Sequence, residues 1–295
     1  MSDYVITCCS TVDTSIEHLK SRNVSFVSFH YSLNEDTYPD DMGMTLKPAE
    51  IYRRMVAGEE SKTSQVGVGE YEEFFEPFLQ EGKDILHVTL SSGISGTINS
   101  ANLAKAGLEE KYPDRKIYIV DSLAASGGYG LLVDGMCDKR DEGFTIDELR
   151  DWTEENKLRL NHWFFTSDLT FFIKGGRVSK AAGTIGTMLN ICPLLNVDYM
   201  GRLINREKVR TKKKVIKRAV EKMEELCDDG LDYSQKCYIT NADCIDDAKA
   251  VADIIEEKFT KMNGKVQITD IGATIGCHTG PGCVALFFWG KKRVD

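Results

Sequence analysis

From residue 4 to residue 140, short apolar runs alternate with longer segments whose apolar residues recur every three or four positions. No other feature restricts the fold as strongly, because this alternation builds a parallel sheet covered by helices. The strand-like runs are 4–9, 24–33, 85–90 and 117–121, and the helix-like segments are 48–57, 70–80, 98–111 and 128–140. In sheets of this kind ligands gather beyond the carboxyl ends of the strands, where the following helices begin. The stretch Ser91-Ser92-Gly93-Ile94-Ser95-Gly96-Thr97 occupies such a place.

That stretch has the glycines and hydroxyls of an anion site but fits neither of two common enzyme loops. A hydrolase elbow needs Gly-x-Ser-x-Gly around a strained serine, and here Gly96 comes one place early. A Walker loop needs a lysine directly after its last glycine, and Thr97 stands there instead.

Beyond residue 140 the pattern changes. Thr145 and Glu148 have the spacing of a capping box, opening a helix to about residue 160. Residues 162–169, 194–199, 203–211, 237–240, 266–271 and 284–289 read as strands, with a turn at Met200-Gly201, while 213–227 and 246–262 read as helices. The expected fold class is α/β with two domains: an N-terminal parallel-sheet α/β/α domain over 1–160 and a C-terminal α+β domain with a mixed sheet over 161–295.

The formal net charge of −9 argues against nonspecific nucleic-acid or anionic-membrane binding, since both need a cationic footprint. The basic run from Lys208 to Arg218 leads into Val215, Ile216, Ala219, Val220 and Met223 at helical spacing, which predicts a solvated helix start with one buried stripe. No basic n-region precedes an apolar stretch at the N-terminus, and the apolar segment 181–195 is too short and too broken by glycine and proline to span a bilayer. Nine cysteines with no Cys-x-x-Cys pair suit a reducing cytoplasm.

Four further stretches hold candidate chemistry. Lys62-Thr63-Ser64-Gln65 precedes the helix at 70–80; its hydroxyls read as turn formers, or as anion donors if Thr63 and Ser95 both sit at helix starts on one sheet edge. In Lys174-Gly175-Gly176-Arg177 the glycines allow a sharp turn, leaving Arg177 either solvated or gripping a carboxylate or phosphate. His278 lies within the glycine cluster 272–282. Metal ligation by Cys277, His278 and Cys283 is not expected, because their spacing fits no standard zinc pattern. The apolar segment 181–195 reads as a core helix or as the wall of an elongated apolar cavity.

In order and spacing along nearly the whole chain, Thr63-Ser64-Gln65, the stretch 91–97, Val120-Asp121-Ser122 with Gly127-Gly128-Tyr129-Gly130, the stretch 171–183, and His278-Thr279-Gly280-Pro281-Gly282 resemble the DegV family. The resemblance implies fatty-acid binding without catalysis or cofactor: a long-chain acid such as palmitate buried between the domains and presented to a partner kinase, as by the binding subunit of bacterial fatty acid kinase. It places the carboxylate on Thr63 and Ser95, with Arg177 and His278 completing the head-group surroundings. Ser10, Thr11, Ser64, Gly93, Gly96, Thr279, Gly280, Ile185, Met188 and Leu189 are further pocket residues on this reading. Two positions depart from the family pattern: Cys9 stands in place of an aspartate, and Val66 in place of a proline. The rival readings are a serine esterase or thioesterase using Ser95 with His278 as base, and, by fold analogy with dihydroxyacetone kinase, a binder of a small metabolite.

Overall fold

A computed structural model describes residues 4–179 and 191–294. The N-terminal half holds a four-stranded parallel sheet in the order β2-β1-β6-β7, formed by β1 (Tyr4–Cys9), β2 (Val24–Val27), β6 (Asp84–Thr89) and β7 (Ile117–Asp121). Burial of β1 and β6 is nearly complete, the pattern of parallel strands covered on both faces. The helices of this half begin with α1 (Ile16–Ser21) and α2 (Pro48–Val56), and α3 (Val68–Gln80) and α4 (Thr97–Lys111) pack against this sheet and each other.

The expected single strand over 24–33 is two strands in two sheets. After Val27 the chain leaves the parallel sheet, Ser10 Oγ accepting the Phe29 N–H at 3.1 Å. It then forms β3 (His30–Leu33), which lies between β4 (Asp36–Pro39) and β5 (Ser61–Ser64) in a small antiparallel sheet. Thr63 therefore sits on a strand opposite Tyr31, not at a helix start, because 61–64 find backbone partners in β3.

In the C-terminal half β8 (Leu160–Phe165), β9 (Ile191–Val197), β10 (Leu203–Arg210), β11 (Cys237–Asn241), β12 (Gln267–Asp270) and β13 (Val284–Trp289) form one sheet in the order β10-β9-β8-β13-β11-β12. Only β11 and β12 pair parallel, so the sheet is mixed as expected. The turn at Met200-Gly201 joins β9 to β10, with Gly201 N–H donating to Asp198 O at 3.0 Å.

Helix α5 (Ser126–Asp141) packs between the two halves, against the 3-10 turn Ser10–Val12 and against β8, β11 and β13. Its Gly127-Gly128 pair permits the approach: a Cβ on Gly127 would lie 2.6 Å from Thr240 Cγ2, and one on Gly128 would run into the His162 ring. The capping box opens α6 (Ile146–Asn156), where Thr145 N–H and Glu148 Oε2 are 2.8 Å apart. The short α7 is Thr170–Lys174. The basic run opens α8 (Lys212–Leu226), whose buried residues are the five apolar ones expected, while Arg218 pairs with Glu207, Glu221 and Glu225. Helix α9 is Ile245–Lys258. The glycine cluster folds around α10 (Ala273–Thr279), which Gly280 ends at φ +64.

Candidate functional site

Residues of both halves bound a cavity of about 580 Å³, within the roughly 300–1,000 Å³ typical of small-molecule pockets. Strand geometry explains its floor. Successive side chains point to opposite faces of a sheet, and His162 with Phe164 on β8, and Ala285 with Phe287 on β13, face the cavity. Trp163, between His162 and Phe164, lies under Lys222 of α8, with Nζ 5.0 Å from the ring centre. One face of the mixed sheet thus carries α8, and the other carries the cavity together with α5, whose Gly128 lies against His162 and Phe287. Phe172 of α7 stacks on Phe164 at 5.9 Å between ring centres and extends the apolar wall.

Polar side chains gather at one end of the cavity. Thr63 on β5, Ser95 in the loop after β6, Arg177 after α7 and His278 in the last turn of α10 all line it, so the four expected head-group residues converge although they come from four segments. Each is half-buried and the neighbouring Ser64 is exposed, which makes this end the mouth. His162, Phe164, Ala285 and Phe287 are at most 6% exposed and form the deep end.

Hydrogen bonding at the mouth has a direction. Arg177 Nη1 lies 3.4 Å from His278 Nδ1, and a guanidinium can only donate, so Nδ1 accepts. The single proton of the neutral imidazole is then on Nε2, 2.7 Å from Thr63 Oγ1, leaving the Thr63 hydroxyl proton to point elsewhere. Neutrality follows from burial, which together with the Arg177 charge pushes the His278 pKa down to about 4. Burial also depresses the pKa of Arg177, whose Nη1 and Nη2 donate to Gly175 O at 2.5 Å and Ile94 O at 3.3 Å. Ser95 Oγ accepts the Thr97 N–H at 3.2 Å, and this too leaves its proton available. The mouth is a set of donors, complementary to an anion.

The remaining expected pocket residues are divided. Ser64, Gly96 and Thr279 line the cavity, and the buried Thr279 hydroxyl has no partner among the described residues. Gly93 does not; its Cβ position would fall 2.5 Å from Met200 O, so this glycine serves the packing of the 91–97 loop on the β9–β10 turn, where Ser91 Oγ also donates to Gly201 O at 2.8 Å. Ser10 and Thr11 lie outside the lining, as does Gly280, whose neighbour is the Phe171 ring. Ile185, Met188 and Leu189, with most of the apolar segment 181–195, fall outside the described residues. Cys9 is fully buried in the N-terminal core, its Sγ 3.4 Å from Tyr71 Oη and 3.7 Å from His87 Nε2, and Val66 is likewise buried.

The sequence reading missed the cavity's apolar walls, among them Phe29, Phe164, Val197 and Phe287, and also Gln65 and His162. Only Gln65 carried a local signal, as the third residue of the Thr-Ser-Gln stretch. Among the described residues no group of three His, Cys, Asp or Glu side chains is arranged to hold a metal, and no helix is long and apolar enough to cross a membrane.

Comparison with known proteins agrees with this architecture. A DegV domain-containing protein of Clostridium perfringens is 36% identical over 293 residues, covering 99% of both chains. A Thermotoga maritima structure described as revealing a fatty acid binding function is 27% identical, with a TM-score of 0.81 over 99% of this chain and 100% of that one. The Streptococcus pneumoniae fatty acid kinase B3 protein, solved loaded with linoleic acid, shares the fold at a TM-score of 0.84 and 23% identity, covering 99% of this chain and 100% of that one. The family model described as uncharacterised protein, DegV family, matches residues 4–291, and on these grounds the chain belongs to the DegV family.

Proposed function

We propose that this protein binds one long-chain fatty acid, such as palmitate, with its chain in the 580 Å³ cavity and its carboxylate at the mouth. One observation carries this reading: a largely apolar chamber has a cluster of donors at its half-exposed end, supplied by Thr63, Ser95, Arg177 and His278. Hydrophobic burial of about 14 methylenes, at about 0.8 kcal/mol each, offers on the order of 11 kcal/mol before ordering costs, so the chain sets affinity. The carboxylate costs several kcal/mol to desolvate unless donors meet it, so the mouth sets orientation. The Thermotoga maritima relative, described as fatty-acid-binding, supports the ligand class.

The cavity lies where residues 1–160 meet residues 161–295, and these are the two domains on this reading. A carboxylate held at a half-exposed mouth suits presentation to a partner, and the name of the Streptococcus pneumoniae neighbour motivates a kinase that uses ATP. The protein itself performs no chemistry. An esterase would need His278 Nε2 beside Ser95 and an acid on Nδ1; Nε2 meets Thr63, and the group at Nδ1 is Arg177. Nine thiols, none in a disulfide, fit a cytoplasmic location.

Native mass spectrometry of the purified protein tests the reading. A retained mass of fatty-acid size, identified by lipid extraction, is the expected result. A protein that is empty and takes up neither palmitate nor oleate sinks it, and Ser95-dependent hydrolysis of a p-nitrophenyl acyl ester would favour the esterase.

A further inference from the structure

The deep end of the cavity is not uniformly apolar. His162 is 1% exposed and lines it, and among the described residues neither ring nitrogen has a hydrogen-bond partner of ordinary geometry. The ring stands edge-on to Phe287 at 5.3 Å between centres, with Gly128 of α5 against its Nε2 side. Ala125 and Ser126, at the start of α5, line the same region, and no side chain caps this 16-residue helix. Its first-turn N–H groups have no partner within the helix itself. The site is separate from the mouth: Phe164 stacks on α7, next to the Arg177 turn, and His162 lies two residues back along β8, roughly 6–7 Å further in.

Burial keeps the imidazole uncharged, pushing its pKa well below the ordinary value; the nearby Arg293 adds to this and the Leu160 carbonyl opposes it. A neutral imidazole offers one N–H donor and one bare acceptor nitrogen. Buried groups of this kind are normally satisfied, and an unmet one is costly. A plain alkyl chain can satisfy neither. A hydroxyl group can satisfy one of the two, by donating to the bare nitrogen or accepting from the N–H; the two nitrogens point apart, so each needs its own partner.

We propose that the ligand of this cavity is a hydroxy fatty acid, its carboxylate at Thr63 and its chain hydroxyl at His162. This rests on the fatty-acid reading above and narrows its ligand class.

The delipidated full-length protein, titrated calorimetrically with stearate and with a positional series of hydroxystearates, tests it. At least one isomer is expected to bind about 3–10-fold tighter than stearate, the yield of one net hydrogen bond. In the wild-type protein, the His162 ring-nitrogen resonances are expected to shift with that isomer and not with stearate. His162→Phe is expected to bring the hydroxystearate-to-stearate affinity ratio to about one. The proposal is overturned if no isomer outbinds stearate, if the His162 resonances respond alike to both, or if the preference survives His162→Phe. Should neither acid bind, the fatty-acid reading itself has failed, an outcome distinct from equal binding of both. If His162→Phe does not fold, the ligand series and the resonances of the wild-type protein still decide.

Discussion

Thr63 can offer its proton to a ligand because His278 Nε2–H is directed at its oxygen, and His278 is so directed because Arg177 occupies Nδ1. The three residues therefore act as one unit, and their substitutions will not add. Thr63→Ala is expected to weaken fatty-acid binding about 5–100-fold, the range for a donor lost from a buried polar site, while Thr63→Ser keeps most of the affinity. Combining Thr63→Ala with His278→Ala should cost clearly less than the product of the two single effects, as coupled neighbours do. Competition with a fluorescent fatty acid reads the wild type and the four variants; strictly multiplicative losses would break the relay. Burial and the Arg177 charge hold the His278 pKa at about 4, so in the unliganded protein its imidazole is neutral between pH 5 and 8.

Helix α5 shows what a short glycine-rich stretch meant before and after the fold was in view. In the sequence Gly127-Gly128 belongs to a family resemblance; in the structure it is the surface through which α5 meets Thr240, His162 and Phe287. Gly128→Ala is expected to destabilise by about 1–3 kcal/mol through overpacking, and to weaken ligand binding because the ring displaced belongs to the cavity. Gly69→Ala is the contrasting substitution: within α3 its Cβ would meet nothing within 4 Å, so a gain of about 0.4–1 kcal/mol is expected. Urea unfolding measures both, and equal effects would refute the packing account.

The same contrast explains what could be read beforehand. Strands β1, β6, β7 and β13 announce themselves as apolar runs, and the mouth residues stand in recognisable stretches. The β3–β5 ladder does not, being short and half polar, and α10 is hidden by glycine content; Gly276 is there because Tyr52 Oη would lie 2.5 Å from a Cβ. His162 and Phe287 were invisible as cavity walls because strands buried on both faces lose the alternation that tells one face from the other.

At the scale of the molecule, three buried carboxylates couple stability to pH, two in one sense and one in the other. Asp13, 5% exposed, accepts from Ser126 Oγ and from Gly272 N–H at 2.9 Å, while its backbone carbonyl accepts from Thr269 Oγ1 at 2.6 Å. Burial, with Asp40 and Asp270 nearby, outweighs the hydrogen bonds from Ser126 and Gly272 and lifts its pKa to about 8. The folded protein then holds a proton that the unfolded chain releases near pH 4, so between these values the folded state binds more protons. Stability must fall as pH rises through that window, by at most about 1.4 kcal/mol per pH unit for this one group. Asp40, likewise buried and raised, adds in the same direction. Asp134 acts on the other side: although burial raises its pKa, hydrogen bonds from His18 and Lys236 outweigh this and hold it at about 2, so its contribution is present above pH 4 and lost on acidification toward pH 2. Thermal unfolding should therefore give a stability maximum on the acid side of neutrality. Asp13→Asn reproduces the protonated carboxyl, its amide able to donate to Ser126 Oγ and its oxygen to accept the Gly272 N–H. It is expected to flatten the decline between pH 5 and 8 while leaving the loss below pH 4 in place. A decline as steep in Asp13→Asn as in the wild type would show that the proton is held elsewhere.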